Sequence, residues 1–303
     1  MVKLRTHWDA DGITSAYLAS FGIKDSVVEI GDYDKGFGDT SGLTKEDYML
    51  DMQPTNPEWD GVCIDHHLPH PEPHKYKLIS DTEDTPATLL VWREYKDKIP
   101  KSEWWKIVIG LVGDGKGCLI PTEVFDECPT LLRRVKTSVY ERYGMKINQY
   151  PLYMLLSSCI NAFLRKGDYD SAINLMKYAD GPMTLYTSDD ARRAKLDISN
   201  DYKLAVKDSE IIDYGIMQLI IYYSKNRMSG YIASRLQETL DNKTVMAINE
   251  RNGSLSLRGD LAEYIKAKLE PLDYLEIGGH AGFMGGKLKK NHSKLIADLE
   301  TLL

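Results

Sequence analysis

The sequence predicts an α/β protein with an N-terminal domain built on a parallel sheet, a helical connector and a smaller C-terminal α/β domain. Three observations lead there. The first half alternates short apolar runs with helical patterns, the alternation that builds parallel sheets flanked by helices. From about Pro151 to Lys207 the pattern is helical, with no strand signal in between. A strand–helix–strand unit follows, closed by a hairpin signal. The expected division is 1–185 for the N-terminal domain, 186–208 for the connecting helix and 209–303 for the C-terminal domain.

Val2 to Thr6 reads as the first strand, and 13–21 as a helix stopped by Gly22. Further strands are expected at 26–30, 48–51 and 61–65. Thr85 followed by Pro86 reads as an N-cap with proline at the first helical position, opening a helix to about Tyr95. Ser102 is expected to cap a helix through Trp104, Ile107, Val108 and Leu111. Helices are expected at 152–165 and 170–179. A polar stretch from Ser188 to Lys207 reads as the connector. The C-terminal unit should hold strands at 216–222 and 244–249 with a helix at 230–240 between them. Asn252-Gly253 is a hairpin turn leading into a strand at 254–258.

The 303 residues are 43% hydrophobic and 27% charged, the composition of a soluble globular protein long enough for two domains. No run of 18 apolar residues occurs, so no membrane partner is expected. The N-terminus lacks an apolar signal core. Cys63, Cys118, Cys128 and Cys159 show no C-x-x-C spacing, which fits free thiols in a reducing cytoplasm and argues against a zinc cluster. A net charge of −7 disfavours tight nonspecific binding to long nucleic acid but allows a local basic cleft.

The chemistry-bearing residues cluster at strand ends. In His7-x-Asp9-x-Asp11 three potential ligands alternate, and period two would place them on one side of an extended segment. Asp51 ends another strand, and Asp65-His66-His67 a third. Open α/β sheets place their sites at the carboxyl ends of strands. Carboxylates with imidazole and no thiolate suit Mn²⁺ or Mg²⁺. So many acids in one place repel one another unless cations are bound.

These motifs, in order with Asp114 in Gly-Leu-Val-Gly-Asp-Gly, resemble those of the DHH phosphoesterase superfamily, in the branch of RecJ-like exonucleases and nanoRNases. Asn161-Ala-Phe-Leu-Arg165 looks like that family's following helix. Ser256-Leu-Arg258, Gly278-Gly279-His280 and Gly285-Gly286 resemble its DHH-associated substrate-binding domain. The resemblance covers nearly the whole chain. It implies two Mn²⁺ ions, with Mg²⁺ as the substitute. His7, Asp9 and Asp51 would hold one, and Asp11, Asp51, His66 and Asp114 the other, with Asp51 bridging. His67 would face the phosphate or protonate the leaving group, and Asp65 would orient a histidine. As adjacent residues on an extended segment, His66 and His67 should point in opposite directions.

Gly278, Gly279, His280, Ser256, Arg258 and Arg227 are the candidates for the substrate's terminal phosphate. Glycine permits close backbone approach, and guanidinium engages phosphate bidentately. The resemblance implies end-directed hydrolysis of single-stranded DNA or RNA or short oligonucleotides, in a cleft between the domains. The enzyme alternatives are a nanoRNase or 3′-phosphoadenosine phosphatase and a cyclic-dinucleotide phosphodiesterase. The non-enzyme alternative is a replication scaffold like the degenerate RecJ relatives. Protein partners are not specified by the sequence. His70 and His74 lie in a proline-rich loop and read as surface histidines. One of Trp104 and Trp105 reads as core, and Arg133, Arg134 and Lys136 read as a solvated face.

Overall fold

The computed structural model describes residues 1–31, 38–67, 69–82, 85–141, 144–240, 243–280, 282–289 and 292–302, without the side chains of 137–141, 144–148 and 280. The chain divides into two compact units: Met1–Val139 with Ile147–Leu164 and Asp168–Lys195, and Tyr140–Lys146 with Arg165–Gly167 and Leu196–Leu303.

The first unit carries a five-stranded sheet of β1 (Val2–Thr6), β2 (Ser26–Ile30), β3 (Tyr48–Leu50), β4 (Val62–Ile64) and β5 (Lys77–Ile79), in the order β2-β1-β3-β4-β5. Every pairing is parallel. The last residues of adjacent strands are in register, Thr6 with Leu50, Leu50 with Ile64 and Ile64 with Ile79. The ladder runs one residue further: the amides of His7, Asp51 and Asp65 donate to the carbonyls of Leu50, Ile64 and Ile79 at 3.2, 2.9 and 3.2 Å. Three candidate residues therefore stand side by side along one sheet edge.

Helix α1 (Ala10–Gly22) packs against α2 (Ala87–Tyr95) and α3 (Ile107–Gly113). α1 begins three residues earlier than expected because Asp9 caps it, its carboxylate accepting from the Gly12 amide at 2.9 Å. The two caps that were expected, Thr85 and Ser102, are overturned. The Thr85 hydroxyl bonds to Asp81 and Thr82, and Pro86 precedes α2 without a side-chain cap of its own. Ser102 lies within a 3₁₀ segment, Lys101–Lys106, that starts after Pro100 and leads into α3. Both Trp104 and Trp105 are buried, so the expectation of one core tryptophan falls short. Buried Lys106 donates to the Tyr17 hydroxyl at 3.0 Å and pairs with Glu103, which lets a charged residue close this core.

The chain continues through α4 (Thr122–Glu127) and a hairpin of β6 (Arg134–Glu141) and β7 (Gly144–Pro151), which no sequence pattern signalled. Arg133, Arg134 and Lys136 are all exposed, as expected. Helices α5 (Tyr153–Lys166), α6 (Tyr169–Tyr178), α7 (Pro182–Thr187) and α8 (Asp189–Lys207) follow. The last division between the units falls within α8. No helix among the described residues is long and apolar enough to cross a membrane.

The second unit holds β8 (Glu210–Asp213), β9 (Met217–Tyr222), β10 (Thr244–Asn249), β11 (Ser254–Arg258), β12 (Leu275–His280) and β13 (Phe283–Leu288), in the order β12-β13-β11-β10-β9-β8. β9 and β10 are parallel across helix α9 (Ser229–Gln237), and the other pairings are antiparallel. The expected hairpin at Gly253 is present, with φ +71° at that glycine. α10 (Ala262–Leu269) and α11 (His292–Leu302) bury Ile265, Leu269, Leu295 and Leu299 in a core with Leu219, Met246 and Leu257.

Gly110 and Gly113 of the Gly-Leu-Val-Gly-Asp motif are packing residues. A Cβ at Gly110 would lie 2.1 Å from the Thr88 hydroxyl and 3.1 Å from the Asp11 carboxylate, and one at Gly113 would lie 2.5 Å from Ala10 Cβ. Thr88 has little room to yield, because its hydroxyl donates to the Asp11 carbonyl at 3.0 Å. Gly110→Ala is therefore expected to destabilise the chain by about 1–3 kcal/mol, read as a lower urea midpoint; an unchanged midpoint would show that the three helices accommodate a methyl group.

Candidate metal centre

Asp51 is the hub. The residue is 1% exposed, and its backbone is left-handed with φ +57°. One carboxylate oxygen, Oδ2, faces His7 Nδ1 at 3.3 Å, and Oδ1 faces His66 Nε2 at 3.3 Å. The two oxygens thus look toward two different groups. On one side His7 Nδ1 also lies 2.8 Å from Asp9 Oδ2. On the other, His66 Nε2 lies 3.9 Å from Asp11 Oδ2 and 4.0 Å from Asp114 Oδ2. His7, Asp9 and Asp51 form one set whose potential ligand atoms lie within 4.8 Å of one another, and Asp11, His66 and Asp114 form a second. Asp51, His66 and His67 meet the same distance.

Asp11 reaches this place by a route that period two does not describe. It lies in the first turn of α1, past the Asp9 cap, so the extended-segment geometry ends before it. Its carboxylate accepts from the Ala87 and Thr88 amides at 2.8 and 3.0 Å. α2 is thus capped by an aspartate 76 residues away in sequence, and its N-terminal dipole fixes that aspartate beside His66. Asp114 arrives as the C-cap of α3, its amide donating to the Gly110 carbonyl at 3.0 Å.

Asp65 is fully buried. Its Oδ1 lies 2.6 Å from His67 Nδ1 and its Oδ2 lies 3.3 Å from His70 Nε2. Burial works against its charge, but the two histidines outweigh burial and hold its carboxyl below the usual range. Burial likewise opposes the charge on His67, and Asp65 outweighs it and raises the imidazole. Two expectations fail here. The His66 and His67 rings lie side by side with centroids 4.5 Å apart, because the chain leaves the strand after Ile64. Gln53 holds that bend, its side-chain amide donating to the His67 and Pro69 carbonyls. His70 is buried, not on the surface, with its Nδ1 at 3.1 Å from the Tyr76 hydroxyl. His74 stacks on Tyr76 at 4.0 Å.

The donor set fits a divalent cation. Both Asp51 oxygens are buried and accept no hydrogen bond, the state of a carboxylate whose natural partner is an ion. Burial opposes the Asp51 charge, yet His66 and His7 outweigh it and hold the carboxyl well below the usual range. Burial first, then Asp51 and Asp114, pushes Asp11 well up. Burial, Asp51 and Asp9 push Asp114 up to about 7. An uncompensated cluster of this kind takes up protons where it lacks cations.

In the second unit, Arg258 donates to the Leu257 and Met284 carbonyls at 2.9 and 2.6 Å and lies over the Phe283 ring at 5.2 Å. Its Nε is buried without a hydrogen bond. Burial alone lowers it to about 10, and no acidic partner is found for it among the described residues. A Cβ at Gly230 would stand 3.1 Å from this guanidinium and 3.5 Å from the Ser256 hydroxyl. The start of α9 therefore lies against Arg258 and Ser256, a placement that only the fold reveals. Arg227 is half-buried in the preceding loop, its amide donating to the Arg165 carbonyl at 2.7 Å. Asn249 and Asp201 brace that loop through Ser224 and Asn226. Gly278 and Gly279 lie in β12, and Gly279, at φ +121°, permits close contact with the Phe283 carbonyl. His280 ends that strand, and its side chain lies outside the described residues.

No family model matches the chain, and no curated protein matches it. Solved structures do. RecJ from Thermus thermophilus in complex with Mn²⁺ is similar with a TM-score of 0.68 and 16% identity, over 99% of this chain and 51% of that one. This chain thus spans about half the length of that relative. An exonuclease RecJ bound to manganese is similar with a TM-score of 0.62 and 16% identity, over 99% of this chain and 88% of that one. A pGpG-specific phosphodiesterase from Vibrio cholerae is similar with a TM-score of 0.53 and 16% identity, over 99% and 98%. The chain has the α/β fold that its sequence predicted, and it shares that fold with these structures.

The electrostatics set the sign of a pH effect. A carboxyl raised to about 7 binds its proton more tightly in the folded chain, so its contribution to stability is lost as pH rises from about 4 to about 7. Metal-stripped wild type should therefore lose more thermal stability between about pH 5 and about pH 8 than Asp114→Asn does, and Mn²⁺ should restore it most at the upper end. Thermal unfolding of both proteins across that range checks this; parallel pH curves would count against it.

Proposed function

We propose that this chain is a divalent-metal-dependent phosphodiesterase that hydrolyses single-stranded nucleic acid or short oligonucleotides from an end. The observation that carries this reading is Asp51, a buried carboxylate with unbonded oxygens turned toward two separate donor sets. His7, Asp9 and Asp51 would hold one ion and Asp11, Asp51, His66 and Asp114 the other, with Mn²⁺ or Mg²⁺ matching the hard donors. When bound, such ions supply Lewis acidity at the phosphate and a hydroxide at neutral pH.

The protein's own part is to place the substrate and the protons. Asp65 holds His67 by Nδ1, and Nε2 is the nitrogen that would meet the phosphate or the leaving oxygen. A raised imidazole is charged over more of the pH range, which suits both roles. In the second unit Arg258, with Ser256 and the start of α9 beside it, offers a charged donor without an acidic partner among the described residues. With Arg227, Gly278, Gly279 and His280 it would hold the terminal phosphate. The net charge of −7 favours short strands over long DNA. Every position of the metal and phosphate motifs keeps its side chain, from His7 through Asp114, which weighs against a metal-free scaffold.

The test is degradation of end-labelled DNA and RNA ladders, dinucleotides included, by metal-stripped protein with added Mn²⁺. End-directed, Mn²⁺-dependent loss is expected; no cleavage, or cleavage that persists in EDTA, would sink the reading. The adjacent histidines should separate by assay. His66→Ala should lower metal content by elemental analysis. His67→Ala should keep its metal and lose about 10²–10⁴-fold in rate. Metal loss in His67→Ala alone would exchange the two roles.

A further inference from the structure

Cys63 and Asp65 are two residues apart on β4 and its extension, so their side chains share one face of the sheet. His70 folds back onto that face. One potential ligand atom from each of the three lies within 4.8 Å of the others, and all three residues are buried. Asp65 Oδ2 and His70 Nε2 are 3.3 Å apart, yet neither completes a hydrogen bond. The Tyr76 hydroxyl holds His70 by Nδ1 and leaves Nε2 aimed at the carboxylate, as the outer nitrogen of a ligating histidine is commonly held. Around them stand Met49, Met52, Trp59 and Tyr76.

We propose that Cys63, Asp65 and His70 bind a thiophilic divalent cation of the zinc class, at a site separate from the carboxylate-rich centre. Sulfur, imidazole and one carboxylate are the donors that zinc takes, whereas the centre around Asp51 offers no sulfur. As the metal–sulfur bond forms, the thiol proton leaves to solvent. The thiolate and carboxylate then cancel the charge of the ion, so the apolar shell encloses a neutral site. The Met52 carbonyl, which accepts from the thiol at 3.6 Å, is at hand as a fourth donor. Because Asp65 gives its other oxygen to His67, the ion would brace the carboxylate that holds that imidazole. The inference stands whether or not the chain is a phosphodiesterase.

The full chain, stripped of metal and titrated with Co²⁺, is expected to develop a thiolate-to-cobalt charge-transfer band. Cys63→Ser should abolish the band and lose one bound zinc per chain, while Asp9→Ala, which alters only the other centre, should keep both. A wild type without the band, or a band at full strength in Cys63→Ser, overturns the site. Should Cys63→Ser fail to fold, His70→Asn serves: a weakened or shifted band supports the site, and an unchanged one overturns it.

Discussion

The backbone ladder that carries β1, β3 and β4 one residue beyond their last paired positions is the constraint on which the rest depends. Thr6, Leu50 and Ile64 are in register, and the amides of His7, Asp51 and Asp65 donate across to the neighbouring strands. A slip of one residue in any of the three would turn its side chain to the other face of the sheet. The apolar faces of Met49, Leu50, Cys63 and Ile64, all fully buried, resist such a slip. The sheet core thus fixes the spacing of groups that would otherwise repel.

Helices complete what the sheet begins, and each does so by an end. α1 contributes through its cap and first turn, α3 through its C-cap, and α2 through the amides that Asp11 accepts. Gly110 and Gly113 let those ends approach. Asp11 is therefore both a structural acceptor and a member of the acidic cluster, so the packing of three helices and the electrostatics of the centre meet in one side chain.

Much of this was legible in the sequence. The strands at Val2–Thr6, Ser26–Ile30, Thr244–Asn249 and Ser254–Arg258 have the bounds their patterns predicted, because apolar residues and turn signals delimit them. β5 was not legible: three residues beginning at an exposed lysine carry too little pattern. The β12–β13 hairpin escaped because glycines interrupt its strand pattern. Thr85 looked like a cap, but local chemistry lost to Asp11, a partner that only tertiary structure supplies. His70 was read from its prolines as surface; a fully buried Asp65 with a second oxygen to satisfy was the signal that could have placed it.

The left-handed backbone at Asp51 narrows what this position admits. Glycine takes φ near +57° freely, and asparagine and aspartate tolerate it better than other side chains. Of these only aspartate is an anion. Glutamate carries the same charge, but it tolerates this backbone less well, and its longer side chain would shift the carboxylate from its place between His7 and His66. Charge and chain geometry therefore select one residue between them. The exchange of aspartate for glutamate, mild on most surfaces, is penalised here by the backbone before any chemistry is considered.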